Sequence, residues 1–137
     1  MADIQALKEK IKNLKVIFVD DEEQIRASTG LFLKKFFDDV TICNDGQDGI
    51  DSFTEVFNSD QNNFDIVIAD IQMPKLNGID MVKQMLDLDK ELYVIFITAT
   101  RGDIPDDELK DRLSIKKPIS YNNVIEIMET INRDFTK

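Results

Sequence analysis

The chain of 137 residues contains no histidine and no tryptophan, and it has one cysteine, three prolines and five glycines. Without histidine, the Ser-His-Asp and Cys-His arrangements that activate a nucleophile cannot form, and no metal can be held by imidazole. The glycine-rich phosphate loops GxxxxGK[ST] and GxGxxG do not occur either. Any metal site must therefore be built from oxygen ligands, which favours Mg²⁺, Ca²⁺ or Mn²⁺.

Long apolar runs and excess positive charge are lacking as well. No stretch approaches the roughly 20 apolar residues that cross a membrane, and the first fifteen residues lack the apolar core of a signal peptide. The net charge of −10 argues against a nucleic-acid or anionic-membrane surface, since both need a basic patch. The single cysteine, Cys43, fits a reducing compartment. We therefore expect one cytoplasmic domain with no nucleic-acid partner and no membrane insertion.

Three apolar runs of four residues indicate strands that are buried on both faces. They are Val16–Val19, Ile66–Ala69 and Val94–Ile97. Each is rich in Val and Ile and does not alternate with polar residues, which is typical of a parallel sheet. Two weaker strand candidates are Val40–Cys43 and Ser114–Lys116.

Apolar residues at helical spacing lie between these strands and after the last one. The stripes contain Ile25, Thr29, Phe32 and Phe36; Ile50, Phe53 and Phe57; Ile79, Val82 and Leu86; Leu109 and Leu113; and Val124, Ile127, Ile131 and Phe135. Asn77 and Ser120 are predicted caps, and Pro105 is predicted to open a short fourth helix. The alternation predicts a doubly wound α/β domain over residues 15–137. Residues 1–14 form an extra amphipathic segment through Ile4, Leu7, Ile11 and Leu14.

Polar residues follow four of the predicted strands. Asp20 and Asp21 end the first, Asp70 the third, Thr98 the fourth and Lys117 the fifth. Singly, each has an ordinary explanation, such as the preference for acidic residues at helix starts. Together they predict one cleft, because the carboxyl ends of parallel strands meet at one edge of the sheet.

Such a cleft is suited to phosphoryl chemistry. Three adjacent carboxylates need a compensating cation or a proton, and Mg²⁺ binds carboxylates together with phosphoryl oxygens. A carboxylate can also act as a nucleophile toward phosphorus. The Thr98 hydroxyl and the Lys117 ammonium would then contact the oxygens of the transferred group.

Four segments, FVDDE, IVIADIQMPKLNG, IFITA and KKP, together resemble the receiver domain of two-component response regulators. The resemblance extends over about residues 15–136 and implies a flavodoxin-like, five-stranded parallel sheet in the order 2-1-3-4-5. It implies that Asp70 is the phosphoacceptor. It also implies that Asp21 binds Mg²⁺ directly, that Asp20 helps through water, and that the carbonyl of Gln72 completes the ligands contributed by the protein.

The same resemblance implies that Thr98 and Lys117 contact the phosphoryl group. Lys117 is preferred to Lys116 because it precedes Pro118, at a bond that is usually cis in this family. Two features depart from the family pattern. Ser114 takes the place of the usual aromatic switch residue, and eighteen residues separate Thr98 from Lys117, without the usual Gly-Ala segment.

The resemblance also indicates how the protein would work. Phosphate would come from a histidine kinase, a histidine phosphotransfer protein or a small phosphodonor. After Pro118 there is room for one helix, so we expect a stand-alone receiver that signals by docking on another protein and is not a conventional enzyme. The alternatives are a phosphorelay intermediate and a receiver-fold binding module without phosphoryl chemistry. A dehalogenase-type phosphatase would need Asp-x-Asp after the first strand, and DDE does not supply it.

Overall fold

The computed structural model describes residues 4–99, 104–117 and 119–135. Within them, five strands form one parallel sheet in the order β2-β1-β3-β4-β5. The strands are β1 (Lys15–Val19), β2 (Asp39–Cys43), β3 (Ile66–Asp70), β4 (Tyr93–Thr98) and β5 (Leu113–Lys116). The predicted fold class and strand order are confirmed.

Five helices are found in the described part of the chain. They are α1 (Ile4–Ile11), α2 (Glu23–Phe36), α3 (Gly46–Phe57), α4 (Gly78–Leu88) and α5 (Tyr121–Phe135). The predicted caps are observed: the Asn77 side chain accepts a hydrogen bond from the backbone N–H of Asp80, and Ser120 Oγ accepts one from Asn123. None of these helices has the length and apolar character of a transmembrane span.

The sheet separates two apolar clusters. Val67, Val94 and Phe96 face one cluster together with α3 and α4, whereas Phe18 and Ile95 face the other together with α1, α2 and α5. The three inner strands β1, β3 and β4 thus contribute alternate side chains to opposite clusters. This burial on both faces explains why the apolar runs in the sequence show no polar alternation.

The N-terminal amphipathic segment forms α1, which packs against α5. Leu7 and Ile11 are buried in the cluster that contains α5, and Ile4 and Leu14 pack against the same cluster. The amphipathic pattern is therefore explained by contact with the rest of the molecule. The division into a 1–14 extension and a 15–137 domain stays a prediction.

The predicted short helix beginning at Pro105 is wrong: residues 104–112 form consecutive turns instead. The Asp106 carboxylate accepts hydrogen bonds from the backbone N–H groups of Glu108 and Leu109, and it pairs with Lys83. These are the bonds of a helix N-cap, but the turns that follow close with bonds between residues three apart, from Leu109 to Asp106 and from Arg112 to Leu109, and the chain enters β5 before a helix forms. Ile104 and Leu109 are buried and attach the segment to the core. The expectation of a cis bond at Pro118 lies outside the described residues.

Candidate functional site

The polar residues singled out by the sequence lie at one edge of the sheet. Asp70 is the last residue of β3 and is in register with Ile97 of β4, next to Thr98. Asp20 directly follows β1, and Lys117 directly follows β5. Asp20, Asp70, Thr98 and Lys117 are all buried. The parallel sheet therefore brings together groups that are up to about 100 positions apart in the chain.

The Lys117 ammonium lies among three carboxylates. Its Nζ atom is 2.9 Å from Asp20 Oδ2, 2.8 Å from Glu22 Oε1 and 3.1 Å from Asp70 Oδ2. The Lys117 side chain is 6% exposed. The neighbouring Lys116 is exposed. These contacts agree with the choice of Lys117, and not Lys116, as the cation of the cleft.

One carboxylate oxygen of Asp20 is fixed by a hydrogen bond, and the other can serve as a metal ligand. Its Oδ1 atom accepts a hydrogen bond of 2.8 Å from the backbone N–H of Glu22. Its backbone carbonyl accepts one of 2.9 Å from Arg26 Nη1. The Oδ2 atom is fully buried and lies close to Lys117, but it has no aligned hydrogen bond. A buried carboxylate oxygen without an aligned donor is a suitable ligand for a cation.

Four acidic residues form a cluster that fits a hard cation. Asp20, Asp21, Glu22 and Asp70 each place one carboxylate oxygen within 4.8 Å of the others. Oxygen-only ligands at this spacing suit Mg²⁺, which keeps several waters and binds few carboxylates. Three of the four belong to the predicted metal set. The fourth predicted ligand, Gln72, lies two residues after Asp70 in an exposed position.

Sequence reasoning missed Glu22. Its carboxylate contacts Lys117 and belongs to the acidic cluster. The signal was present as a third acidic residue directly after the Asp20–Asp21 pair. Directly before α2, however, such a residue also has an ordinary explanation, since acidic residues favour the start of a helix.

The cleft shifts the pKa values of its ionisable groups. Burial, followed by the charge of Asp20, raises the pKa of Asp70 to about 6, against the opposing effect of Lys117. Burial also raises the pKa of Asp20. Burial alone would lower the pKa of Lys117, but its bonds to Glu22 and Asp20 raise it instead. Lys117 therefore stays protonated, while the crowded carboxylates would gain from a second cation.

The loop after Asp70 is held by a close approach of backbone to backbone. The N–H of Gly78 donates a hydrogen bond of 2.8 Å to the carbonyl of Ile71. A Cβ atom at Gly78 would lie 1.9 Å from the carbonyl oxygen of Asp70, which leaves no space for a side chain. Glycine at the first position of α4 thus fixes the position of Asp70 relative to that helix.

The comparisons with known proteins agree with this geometry. The family model described as "Response regulator receiver domain" matches residues 16–129. The chain belongs to this family. Receiver domains act in two-component signalling, where they are generally phosphoacceptors and not conventional enzymes, and they bind Mg²⁺ at an acidic pocket.

Three similar proteins illustrate the relationship. The uncharacterized transcriptional regulatory protein YkoG of Bacillus subtilis is 31% identical over 91 residues, which is 66% of this chain and 37% of YkoG. A receiver domain protein from Clostridium thermocellum is 28% identical with a TM-score of 0.70, covering 90% of this chain and 98% of that one. The receiver domain of Saccharomyces cerevisiae Ssk1, in a co-crystal structure with the histidine phosphotransfer protein Ypd1, has a TM-score of 0.70 at 19% identity. This match covers 85% of this chain and 87% of the Ssk1 chain. At 19% identity the match shows the shared fold alone.

This receiver domain matches only a part of its curated relatives. The chain spans about a third of the length of YkoG and of the Escherichia coli transcriptional regulatory protein BtsR. It spans a smaller share of a gliding motility regulatory protein from Myxococcus xanthus.

Proposed function

We propose that Asp70 accepts a phosphoryl group in a Mg²⁺-dependent reaction, and that the phosphorylated domain signals by docking on another protein. The observation that carries the proposal is the contact between the buried carboxylate of Asp70 and the ammonium of Lys117, beside the acidic cluster. A carboxylate nucleophile, a fixed cation and oxygen ligands for a metal are the groups that phosphoryl transfer to an acid requires. Membership of the receiver family supports the same assignment.

Asp70 is the nucleophile in this proposal. One of its carboxylate oxygens forms a bond to the phosphorus atom of the donor while the bond from phosphorus to the leaving group breaks, and the leaving group keeps the electron pair. Lys117 is close enough to bind the oxygens of the transferred group, and Thr98 ends the adjacent strand. Both side chains would stabilise the negative charge on the transferred group, because the fold orients them before transfer.

Asp20 and Asp21, with Asp70 and the carbonyl of Gln72, would hold the Mg²⁺ ion. When bound, the ion neutralises charge on the phosphoryl oxygens during transfer. Asp20 is held by the backbone N–H of Glu22 on its carboxylate and by Arg26 on its backbone carbonyl. This rigidity keeps its oxygen in place whether or not the phosphoryl group is present.

The proposed phosphodonor is a histidine kinase, a histidine phosphotransfer protein or a small acyl phosphate. The co-crystal of the Ssk1 receiver domain with Ypd1 supports the second possibility by shared fold. These 137 residues contain no histidine, so a donor histidine lies outside them. We include a cytoplasmic location in the proposal, which is compatible with the buried free thiol of Cys43.

Intact-mass measurement tests the proposal directly. Incubation with acetyl phosphate and Mg²⁺ should add about 80 Da, the mass of one phosphoryl group on a carboxylate. Asp70→Asn should take up none, and Asp87→Asn, a change at an exposed aspartate of α4, should behave like wild type. Lys117→Ala should retain some uptake, because the nucleophile is intact. A full adduct on Asp70→Asn would refute the assignment.

A further inference from the structure

Glu22 has no role in the proposed phosphorylation, yet it makes the shortest of the three contacts with Lys117, at 2.8 Å. The exposures of the three carboxylates differ greatly. The side chain of Glu22 is 55% exposed, whereas that of Asp20 is 0% and that of Asp70 is 5% exposed. Glu22 is therefore the partner of Lys117 that is free to turn into water.

Three carboxylates crowd the ammonium of Lys117. It donates hydrogen bonds to Glu22 and Asp70 and forms an ion pair, without an aligned hydrogen bond, with Asp20. A phosphoryl group on Asp70 would bring several anionic oxygens that need the three N–H donors of the ammonium. The hydrogen bond that Glu22 accepts competes with these oxygens for the same donors. Asp20 is fully buried and held by the Glu22 backbone, so the side chain of Glu22 is the one to leave.

Charge favours the same outcome. One carboxylate oxygen of Glu22 lies within 4.8 Å of carboxylate oxygens of Asp20, Asp21 and Asp70. A phosphoryl dianion attached to Asp70 would enter this space, where the charge of Glu22 repels it. The departure of Glu22 does not disturb α2, because Glu22 precedes the helix in an extended conformation and its side chain makes no capping hydrogen bond.

We infer that Glu22 is the resting-state counter-ion of Lys117, that it must turn away before Lys117 binds the phosphoryl group, and that it thereby slows phosphoryl uptake at Asp70. The inference rests on the proposed function. Glu22 is a positioning residue here, since it acts through Lys117 and forms no bond to the phosphoryl group. With acetyl phosphate, a new O–P bond forms at Asp70 and acetate leaves as the anion with its electron pair, so no proton is gained or lost.

The rate of uptake from acetyl phosphate at saturating Mg²⁺, followed by intact mass, tests this inference. Glu22→Gln removes the charge at nearly constant size and should raise the rate about fivefold, the change expected for one like charge about 4 Å away that is fully screened by water. Glu23→Gln is the matched control. It removes the same charge one residue later, at the exposed first residue of α2, and should stay within about twofold of wild type.

Two further measurements separate the contact with Lys117 from other roles. Glu22→Asp keeps the charge but shortens the reach, so its rate should fall between those of wild type and Glu22→Gln. The dissociation constant for Mg²⁺, from the rise in melting temperature with added metal, should be no weaker in Glu22→Gln than in Glu23→Gln. The melting temperatures without metal report whether each variant is folded.

Each outcome decides the question. A rate for Glu22→Gln equal to that of Glu23→Gln would mean that Glu22 is only a solvated surface acid, and the inference is wrong. A slower rate together with weaker Mg²⁺ binding would make Glu22 a metal ligand and would also overturn it. Wild-type protein that takes up no phosphoryl group would refute the proposed function itself, and the inference with it.

Discussion

Replacing Asp70 by asparagine should stabilise the protein in the absence of Mg²⁺ at neutral pH. The carboxyl of Asp70 is buried beside Asp20, and its pKa is raised from 3.8 to about 6. One pKa unit corresponds to about 1.4 kcal/mol, so the ionised carboxylate costs the folded state up to about 3 kcal/mol. Asparagine is neutral and of similar size, and it leaves Lys117 with Asp20 and Glu22 as partners.

The sign of the pH dependence follows from the raised pKa. A group whose pKa is higher in the folded state contributes stability that is fully present below pH 3.8 and is lost as the pH rises through about 6. Metal-free wild type should therefore lose stability between pH 5 and pH 7. Asp70→Asn should lose less, so the difference between the two proteins should grow over this range. For a chain of this size, 3 kcal/mol corresponds to roughly 9 °C in melting temperature.

Urea unfolding in EDTA, followed by far-ultraviolet circular dichroism, measures this difference without tryptophan. Asp87→Asn, which removes one exposed charge from α4, serves as the control and should match wild type within about 0.5 kcal/mol. If Asp70→Asn is no more stable than wild type at pH 7, or shows the same slope between pH 5 and pH 7, the account of the crowded carboxylates is wrong.

Three other predictions concern the metal, the β4–β5 connection and the loop after Asp70. Saturating Mg²⁺ should stabilise wild type by about 2.7 kcal/mol at a hundredfold excess over the dissociation constant, and Asp21→Ala should lose most of that gain in a thermal melt. A beryllium fluoride mimic of the acyl phosphate should increase hydrogen-exchange protection within residues 98–113; a change confined to α2 or α3 would contradict this. Gly78→Ala should cost roughly 3 kcal/mol in urea unfolding, because its Cβ meets the Asp70 backbone. Gly30→Ala, whose Cβ meets only the flexible end of Ile42, should cost much less.

The sheet could be predicted because burial on both faces leaves a distinct pattern. Val16–Val19 and Ile66–Ala69 are continuous apolar runs, and the observed strands extend them by one residue at one end. The caps at Asn77 and Ser120 could be predicted as well, since a short polar side chain before an apolar stripe accepts a backbone N–H bond at the start of the helix. The predicted carboxyl ends of the strands then indicated where the polar residues meet.

Interactions between distant residues could not be predicted in the same way. The segment from Pro105 has acidic residues suited to a helix start, and Asp106 bonds to the backbone as a helix cap would. Its pairing with Lys83 of α4 has no signal in the local sequence. The role of Glu22 depends on Lys117, which is 95 positions away. A pattern of residue types records the local preference of each side chain, but not which distant charge will compete for it.

The packing of α1 against α5 has a consequence for folding during synthesis. About 110 residues separate the end of α1 from the start of α5, and translation at 5–20 residues per second needs roughly 5 to 20 seconds to cover them. An eight-residue helix is not stable on its own in water. Leu7 and Ile11 therefore remain in an unstructured segment until α5 has left the ribosome. The first helix of the fold is thus one of the last to form, and its apolar residues are available to chaperones in the meantime.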